Sequence, residues 1–282
     1  MLTPDVELIA HPVLEFTSAQ VTDAMNRSFE EYMVPMVFTP VSFERRFRGE
    51  HLDAEASKLW FRGEKLIGVV FIARRGWTSR VAAMGLVRDE RGKQYGRQML
   101  QSAINEAIAR GDRSMLLEVF AANERARRLY ERLGFRNERE LFSFRHVPTP
   151  KSPPAARREL QEIDPAEVAR LVLLEGEPNI SWMYAPETLT GAATPSRAFQ
   201  LDEKAYVMLR QDPDRTLLQT LLVRPEHRRQ GRGRELLQAV EAAFPEKPLV
   251  ISMLASGPLY SFLQAMQWEL MPLPLFEMVR PL

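Results

Sequence analysis

At 282 residues the chain is long enough for two domains of ordinary size, each with its own core. Its 45% apolar and 27% charged residues suit an ordinary globular protein, and a net charge of +1 gives no ground for a nucleic-acid partner. The absence of cysteine excludes disulfides, thiol nucleophiles and Cys-based zinc sites.

Four scattered histidines (His11, His51, His146, His227) lack metal-ligand spacing, so no metal is expected. With no secretory pattern and no apolar run near about 18 residues, the expected location is cytoplasmic, without a membrane partner. In chain order, residues 5–17 read as a first strand and 18–31 as a helix. An apolar, Pro-interrupted segment (Tyr32 to Phe38) leads to a short helix near Val41–Phe47. Residues 58–74 form a hairpin turning at Arg62-Gly63-Glu64.

An apolar run (VAAMGLV) then gives a strand ending near Val87, followed by the polar turn Arg91-Gly92-Lys93-Gln94-Tyr95-Gly96-Arg97. Met99, Leu100, Ala103, Ile104, Ala107 and Ile108 recur at helical spacing until Gly111. A second strand, MLLEVF, carries one carboxylate, Glu118, and a turn at Asn123 opens a helix that ends at Gly134-Phe135. The first residues of a helix offer unpaired N–H groups and the positive end of its dipole, which suit a phosphate. Gly92 and Gly96 allow close backbone approach, and Arg91, Lys93 and Arg97 add positive charge. Neither a Walker loop nor a G-x-G-x-x-G motif is present. In its apolar strand Glu118 is expected to have a raised pKa, and with Tyr130 on the next helix it pairs a base with an acid, as amine acylation requires.

The stretch LEVFAANERARRLYERLGF, preceded by the glycine turn, resembles the GNAT acetyltransferase superfamily, in particular the ribosomal-protein alanine N-acetyltransferases. The turn matches the superfamily's pyrophosphate loop at Arg91 and Gly96, but Gln94 stands where that loop has its central glycine. The resemblance implies acetyl-CoA as cofactor. Its pantetheine would meet backbone near Leu86 and Val87, and its pyrophosphate residues 91–97, Tyr95 included. Asn123 would orient the cofactor or the helix start. Glu118 would take the acceptor's proton, directly or through water, and Tyr130 would protonate the departing thiolate.

After Arg145 the composition changes to HVPTPKSPPAARR, a proline-rich linker. Beyond it the order repeats: an Asp-capped helix (DPAEVARLVLLEG), a strand (KAYVMLRQ), then strand, basic glycine turn and helix. Arg228-x-x-Gly231-x-Gly233 fits the superfamily loop at every defined position, with Arg228 and Gly233 as far apart as Arg91 and Gly96. Val223, Arg229, Gln230, Arg232 and Arg234 complete a second candidate phosphate site. The chemistry is not repeated, because Glu118, Asn123 and Tyr130 fall on Ile251, Ser256 and Leu263. The last residues, LFEMVRPL, echo ELFSFRHV.

The fold class is therefore α/β (α+β), with two tandem GNAT-like domains, each a mixed central sheet flanked by helices. The boundaries are 1–146 for a catalytic domain, 147–157 for the linker and 158–282 for a catalytically degenerate domain. The function expected is acetyl transfer from acetyl-CoA to a primary amine of a small molecule or peptide. The alternative is a non-catalytic acyl-CoA sensor. The chain is expected to act as a monomer with an internal pseudo-dimer, or as a homodimer. On this reading the second half keeps a CoA or phosphate site, which Gly233→Val would fill.

Overall fold

A computed structural model describes residues 7–148, 159–178 and 180–282. Most of the proline-rich linker therefore lies outside the described residues. The chain forms two compact units, residues 1–138 with 276–282, and residues 139–275.

In the first unit β1 (Leu8–Pro12) precedes α1 (Ser18–Ser28) and α2 (Pro40–Glu50). Both helices start at a threonine whose hydroxyl accepts a backbone N–H and whose own N–H is taken by the third helical side chain, Gln20 or Ser42. Then follow β2 (Leu52–Arg62), β3 (Lys65–Arg75), β4 (Thr78–Leu86), α3 (Tyr95–Arg110), β5 (Ser114–Phe120) and α4 (Glu124–Arg132). β1 to β4 pair antiparallel in sequence order, and β4 pairs parallel with β5. β3 is buried over eight consecutive residues because it is covered on both faces, which is why it reads as an unbroken apolar run. On one face the Phe43, Phe47 and Phe71 rings lie 4.6–5.6 Å apart. On the other, α3 buries Met99, Leu100, Ala103, Ile104 and Ala107. Ile108, expected on that stripe, is instead 49% exposed.

Strand β6 (Arg136–His146) belongs to the second unit from Arg139 onward. That unit continues with β7 (Gln161–Ile163), α5 (Pro165–Glu175), α6 (Pro186–Thr190), β8 (Ser196–Leu201), β9 (Ala205–Gln211) and β10 (Thr216–Val223). It ends with α7 (Arg232–Ala243), β11 (Leu249–Ala255), α8 (Pro258–Ala265) and β12 (Glu269–Leu270), and β13 (Leu275–Pro281) closes the chain. Asp164 caps α5 by accepting the Ala166 N–H at 2.8 Å. β10 and β11 form the parallel pair here, matching β4 and β5.

These unit limits differ from the division at 146 and 158. β6 pairs along Leu141–His146 with β11 inside the second unit. β13 neighbours β5, and Phe276–Leu282 count with the first unit. The two echoing segments are thus equivalent strands that have traded units, and the first unit's core includes Met278.

Candidate active site

β4 and β5 are paired only from Thr78↔Ser114 to Val81↔Leu117, so a slot opens between Ala82–Leu86 and Glu118–Phe120. Backbone groups alternate in direction along a strand. The Val87 N–H turns to β3 and donates to the Ile67 carbonyl at 3.0 Å. That corrects the expectation for Val87, whose donor is spent. Leu86 and Met84 face the other way, into the slot.

Past the slot the chain makes its turn. Gly92 (φ +92°) and Gln94 (φ +64°) both adopt left-handed backbone, and Gln94 caps α3. In the second unit Arg229 (φ +59°) and Gly231 (φ +81°) hold the same two conformations before α7. Each turn therefore has one glycine and one side chain at its two left-handed positions, placed in opposite order. Gln94→Gly should stabilise the protein by about 0.5–1 kcal/mol, since a side chain at αL carries a steric cost that glycine avoids. Chemical denaturation would register it, and a destabilised variant would mean that Gln94 makes a compensating contact.

This backbone leaves the N–H groups of Gly92 to Gly96 without an acceptor among the described residues. Five successive donors at a helix start form a concave anion site. The arginines contribute less than expected. The Arg91 guanidinium donates to the carbonyls of Leu86 (3.0 Å), Glu30 (2.7 Å) and Ser28 (3.4 Å), bracing the turn against the end of α1. Lys93 pairs with Glu90 at 3.1 Å, and the Tyr95 hydroxyl accepts from Arg62 at 3.3 Å. Arg97 is exposed and has no partner among the described residues, so it remains the available cation. Gly96 is buried, and a Cβ there would meet Met84, Leu86 and Leu129 at 3.3–3.5 Å, so that glycine serves helix–strand packing.

The second turn repeats the brace. Arg228 donates to the Val223 carbonyl (3.0 Å) and the Glu175 carbonyl (2.7 Å), and pairs with Glu177 (2.9 Å). Arg232 pairs with Glu235 at 2.7 Å, and Gln230 donates to the Glu226 carbonyl at 2.9 Å. Arg229 and Arg234 are exposed without described partners. A Cβ on Gly233 would meet the Phe262 ring at 3.2 Å, so Gly233→Val would strain α8 rather than fill a phosphate's space.

Glu118 is not the isolated base that its apolar strand led the sequence to predict. Arg80, 2% exposed, donates from Nε to both of its oxygens (3.0 and 2.9 Å) and from Nη2 at 2.8 Å. The same guanidinium reaches Glu50 of α2 through Nη1 at 2.6 Å, and Arg46 meets Glu50 at 2.8 Å. Burial pushes the Glu50 carboxyl up, but the charges of Arg46 and Arg80 and their hydrogen bonds hold it below the ordinary carboxylate value. This buried network is absent from any sequence motif; its only trace is an arginine at the start of an apolar strand.

Tyr130 is 9% exposed, packed edge-on to Phe135 at 6.0 Å, and no described residue hydrogen-bonds its hydroxyl. Burial, then the neighbouring Tyr32 phenol, push its pKa well above the ordinary tyrosine value. Asn123 caps α4, its Oδ1 accepting the Ala126 N–H at 3.2 Å. Its side chain neighbours the Tyr32 phenol, whose pKa burial raises. Tyr32 thus lies beside Asn123 and Tyr130, although in the sequence it is only the first residue of an apolar, Pro-interrupted segment.

In the second unit β10 and β11 part even sooner, after Leu217↔Val250. The Ser252 N–H and carbonyl turn away from β6, and both are taken by Tyr184. Its buried hydroxyl accepts from Ser252 N at 3.1 Å and donates to Ser252 O at 2.7 Å. Ser181 adds a bond to the Met253 carbonyl at 2.8 Å. Ile251 and Leu263 are fully buried in the apolar core.

The family model described as acetyltransferase (GNAT) family matches residues 19–135 and again residues 155–257. Among curated proteins, 99 residues (33% of this chain) are 29% identical to 66% of N-alpha-acetyltransferase 30 of Schizosaccharomyces pombe. A stretch of 59 residues (21% of this chain) is 44% identical to 38% of an uncharacterized N-acetyltransferase, YycN, of Bacillus subtilis. The chain thus spans 66% and 38% of the lengths of these relatives, under two thirds of each. A solved tandem GNAT protein from the clavulanic acid biosynthesis pathway, without AcCoA, superposes with a TM-score of 0.69 over 98% of both chains at 16% identity, a likeness of fold. Among the described residues no helix is long and apolar enough to cross a membrane.

Proposed function

This chain belongs to the GNAT acetyltransferase family, and from that premise we propose that it moves an acetyl group from acetyl-CoA to a primary amine, with the chemistry in its first unit. One contrast carries the assignment to that unit. The first slot opens beside an unbonded Tyr130 hydroxyl, whereas Tyr184 occupies the corresponding strand edge of the second.

The residues present fit the cofactor. The donors of Gly92–Gly96 and the Arg97 charge suit a pyrophosphate, and the β4 edge at Met84 and the Leu86 N–H, beyond the pairing with β5, suits the amides of a pantetheine arm. Bound there, acetyl-CoA supplies the activated thioester. Tyr130 holds a proton against the sulfur as it becomes a thiolate. Glu118, gripped by Arg80, fixes the end of β5 and links it to α2. The acceptor enters as the free-amine fraction from solution, and the proton its nitrogen sheds on acylation returns to the Tyr130 oxygen in place of the one given to sulfur. The slot's narrow geometry supplies rate by holding the amine against the carbonyl carbon.

Thiol release from acetyl-CoA should appear with at least one class in a panel of free-N-terminus peptides, polyamines, aminoglycosides and amino acids. Silence across that panel, with acetyl-CoA still bound, would favour the sensor alternative instead. Titration calorimetry should find one acetyl-CoA per chain, because Tyr184 already takes the Ser252 backbone groups at the edge of the second slot. Two binding events would defeat that part of the reading.

A further inference from the structure

We propose that Arg125, from the first turn of α4, is a cofactor-binding residue that grips the diphosphate of acetyl-CoA together with the backbone donors of Gly92–Gly96. The proposal rests on the acetyl-transfer reading above and adds a residue to its first site.

Arg125 reaches the turn from a fixed helix start. Asn123 caps α4 by accepting the Ala126 N–H at 3.2 Å, and Arg125 is the second residue of that helix. Its guanidinium lies against Gly92, where a Cβ would meet Arg125 Nη2 at 3.4 Å. Gly92, at φ +92°, opens the run of N–H groups left without an acceptor among the described residues. Side chain and backbone donors thus converge on one end of the turn.

The neighbours of Arg125 leave its charge unspent. Glu124 is committed to Arg128 at 2.5 Å. Arg127 donates to the Ala121 carbonyl at 3.2 Å and lies over the Phe276 ring at 4.6 Å. Arg125 itself is exposed and has no hydrogen-bond or ion-pair partner among the described residues. The two cations that the turn's own sequence offers are engaged elsewhere: Arg91 by the Leu86 and Glu30 carbonyls, Lys93 by Glu90. Arg125 therefore joins Arg97 in supplying the charge that those two do not. A guanidinium suits the task, because it stays protonated at any working pH and its planar fork matches two phosphate oxygens at once. The second turn has no such cover. Pro258 stands where Arg125 does, and a Cβ on Gly231 would meet nothing within 4 Å.

The test is titration calorimetry with CoA and 3′-dephospho-CoA, backed by thiol-release kinetics with acetyl-CoA and the fastest amine of the panel. Arg125→Gln should weaken both ligands about tenfold, the scale of one lost charge-assisted contact. It should raise the KM for acetyl-CoA, leave kcat at saturation unchanged, and leave the melting temperature unchanged because no partner is lost. Arg125→Lys should recover part of the affinity, since it keeps the charge without the fork. Arg132→Gln removes one charge from the far end of the same helix and should alter neither affinity. Unchanged binding in Arg125→Gln would overturn the proposal. So would a loss confined to CoA, which would direct the guanidinium to the 3′-phosphate. An equal loss in Arg132→Gln would overturn it too, by reducing the effect to net charge. A parent that binds neither ligand would sink the cofactor reading itself, whereas a parent that binds both beside an indifferent Arg125→Gln would sink this inference alone.

Discussion

Replacing Arg80 by methionine should cost about 3–5 kcal/mol of stability, the usual penalty for leaving buried charge uncompensated. Arg80 lies between Glu118 and Glu50, with contacts of 2.6–3.0 Å to their oxygens, and all three side chains are at most 4% exposed. Methionine fills much the same volume, so the cost is electrostatic rather than a cavity. Arg46 would remain beside Glu50 at 2.8 Å. Stabilities of whole domains are about 5–15 kcal/mol, so the variant is expected to express poorly or to melt well below the parent. Urea denaturation at neutral pH measures the loss, and a cost under about 1 kcal/mol would mean that water or chain movement relieves the carboxylates.

The pH dependence has a definite sign. In the parent, Glu50 has its native pKa depressed, so its contribution is present above the unfolded carboxylate value and is lost as pH falls through the native one. In Arg80→Met the burial of Glu50 is no longer opposed by that guanidinium, so its carboxyl binds a proton more tightly than in the parent. The cost of keeping Glu50 charged is then full near neutrality and fades as pH falls and the carboxyl is protonated. The gap between parent and variant should therefore narrow in acid. Adding Glu118→Gln and Glu50→Gln to Arg80→Met should recover part of the loss at neutral pH, since amides cost less to bury than charges.

Why this network escaped the sequence while the turns did not is a matter of range. The strand–turn–helix order is written locally, as an apolar run, a glycine-bearing basic turn and a helical period. Both copies fold that way, down to the same left-handed positions at Gly92 and Gln94, Arg229 and Gly231. Arg80 and Glu118 are brought together only by the parallel pairing of two strands with a helix between them. Arg91 and Arg228 misled for another reason. Their acceptors are carbonyls at Glu30 and Glu175, and a backbone carbonyl leaves no mark in the residue pattern. The echo between the segments around β6 and β13 was visible, but not that the two strands trade units, because equivalent strands compete for equivalent edges. Tyr184 sits in a loop whose composition says nothing of the strand edge it meets.

Tyr130→Phe should reduce turnover by on the order of 10²-fold or more, while the affinity for acetyl-CoA stays close to that of the parent. The ring and its contact with Phe135 survive the change, so only the hydroxyl is tested. That hydroxyl has no described partner to lose, which is unusual for a buried phenol and leaves stability nearly unaffected. Its raised pKa keeps it a donor throughout the working pH range, so this group should cause no alkaline fall in kcat below about pH 10. The variant must then face the thiolate without that donor, and the missing hydrogen bond to the charge is what the rate reports. Glu118→Gln separates the two expected roles. As a base, Glu118 would be dispensable at high pH, where the amine is already free, and its variant would recover there. As the tie to Arg80, its variant would lose stability and rate together, with no recovery on raising pH. Rates and denaturation midpoints measured from pH 7 to pH 10 distinguish these outcomes, and the contacts around Arg80 lead us to expect the second. A Tyr130→Phe enzyme with full activity would remove the phenol from the chemistry altogether.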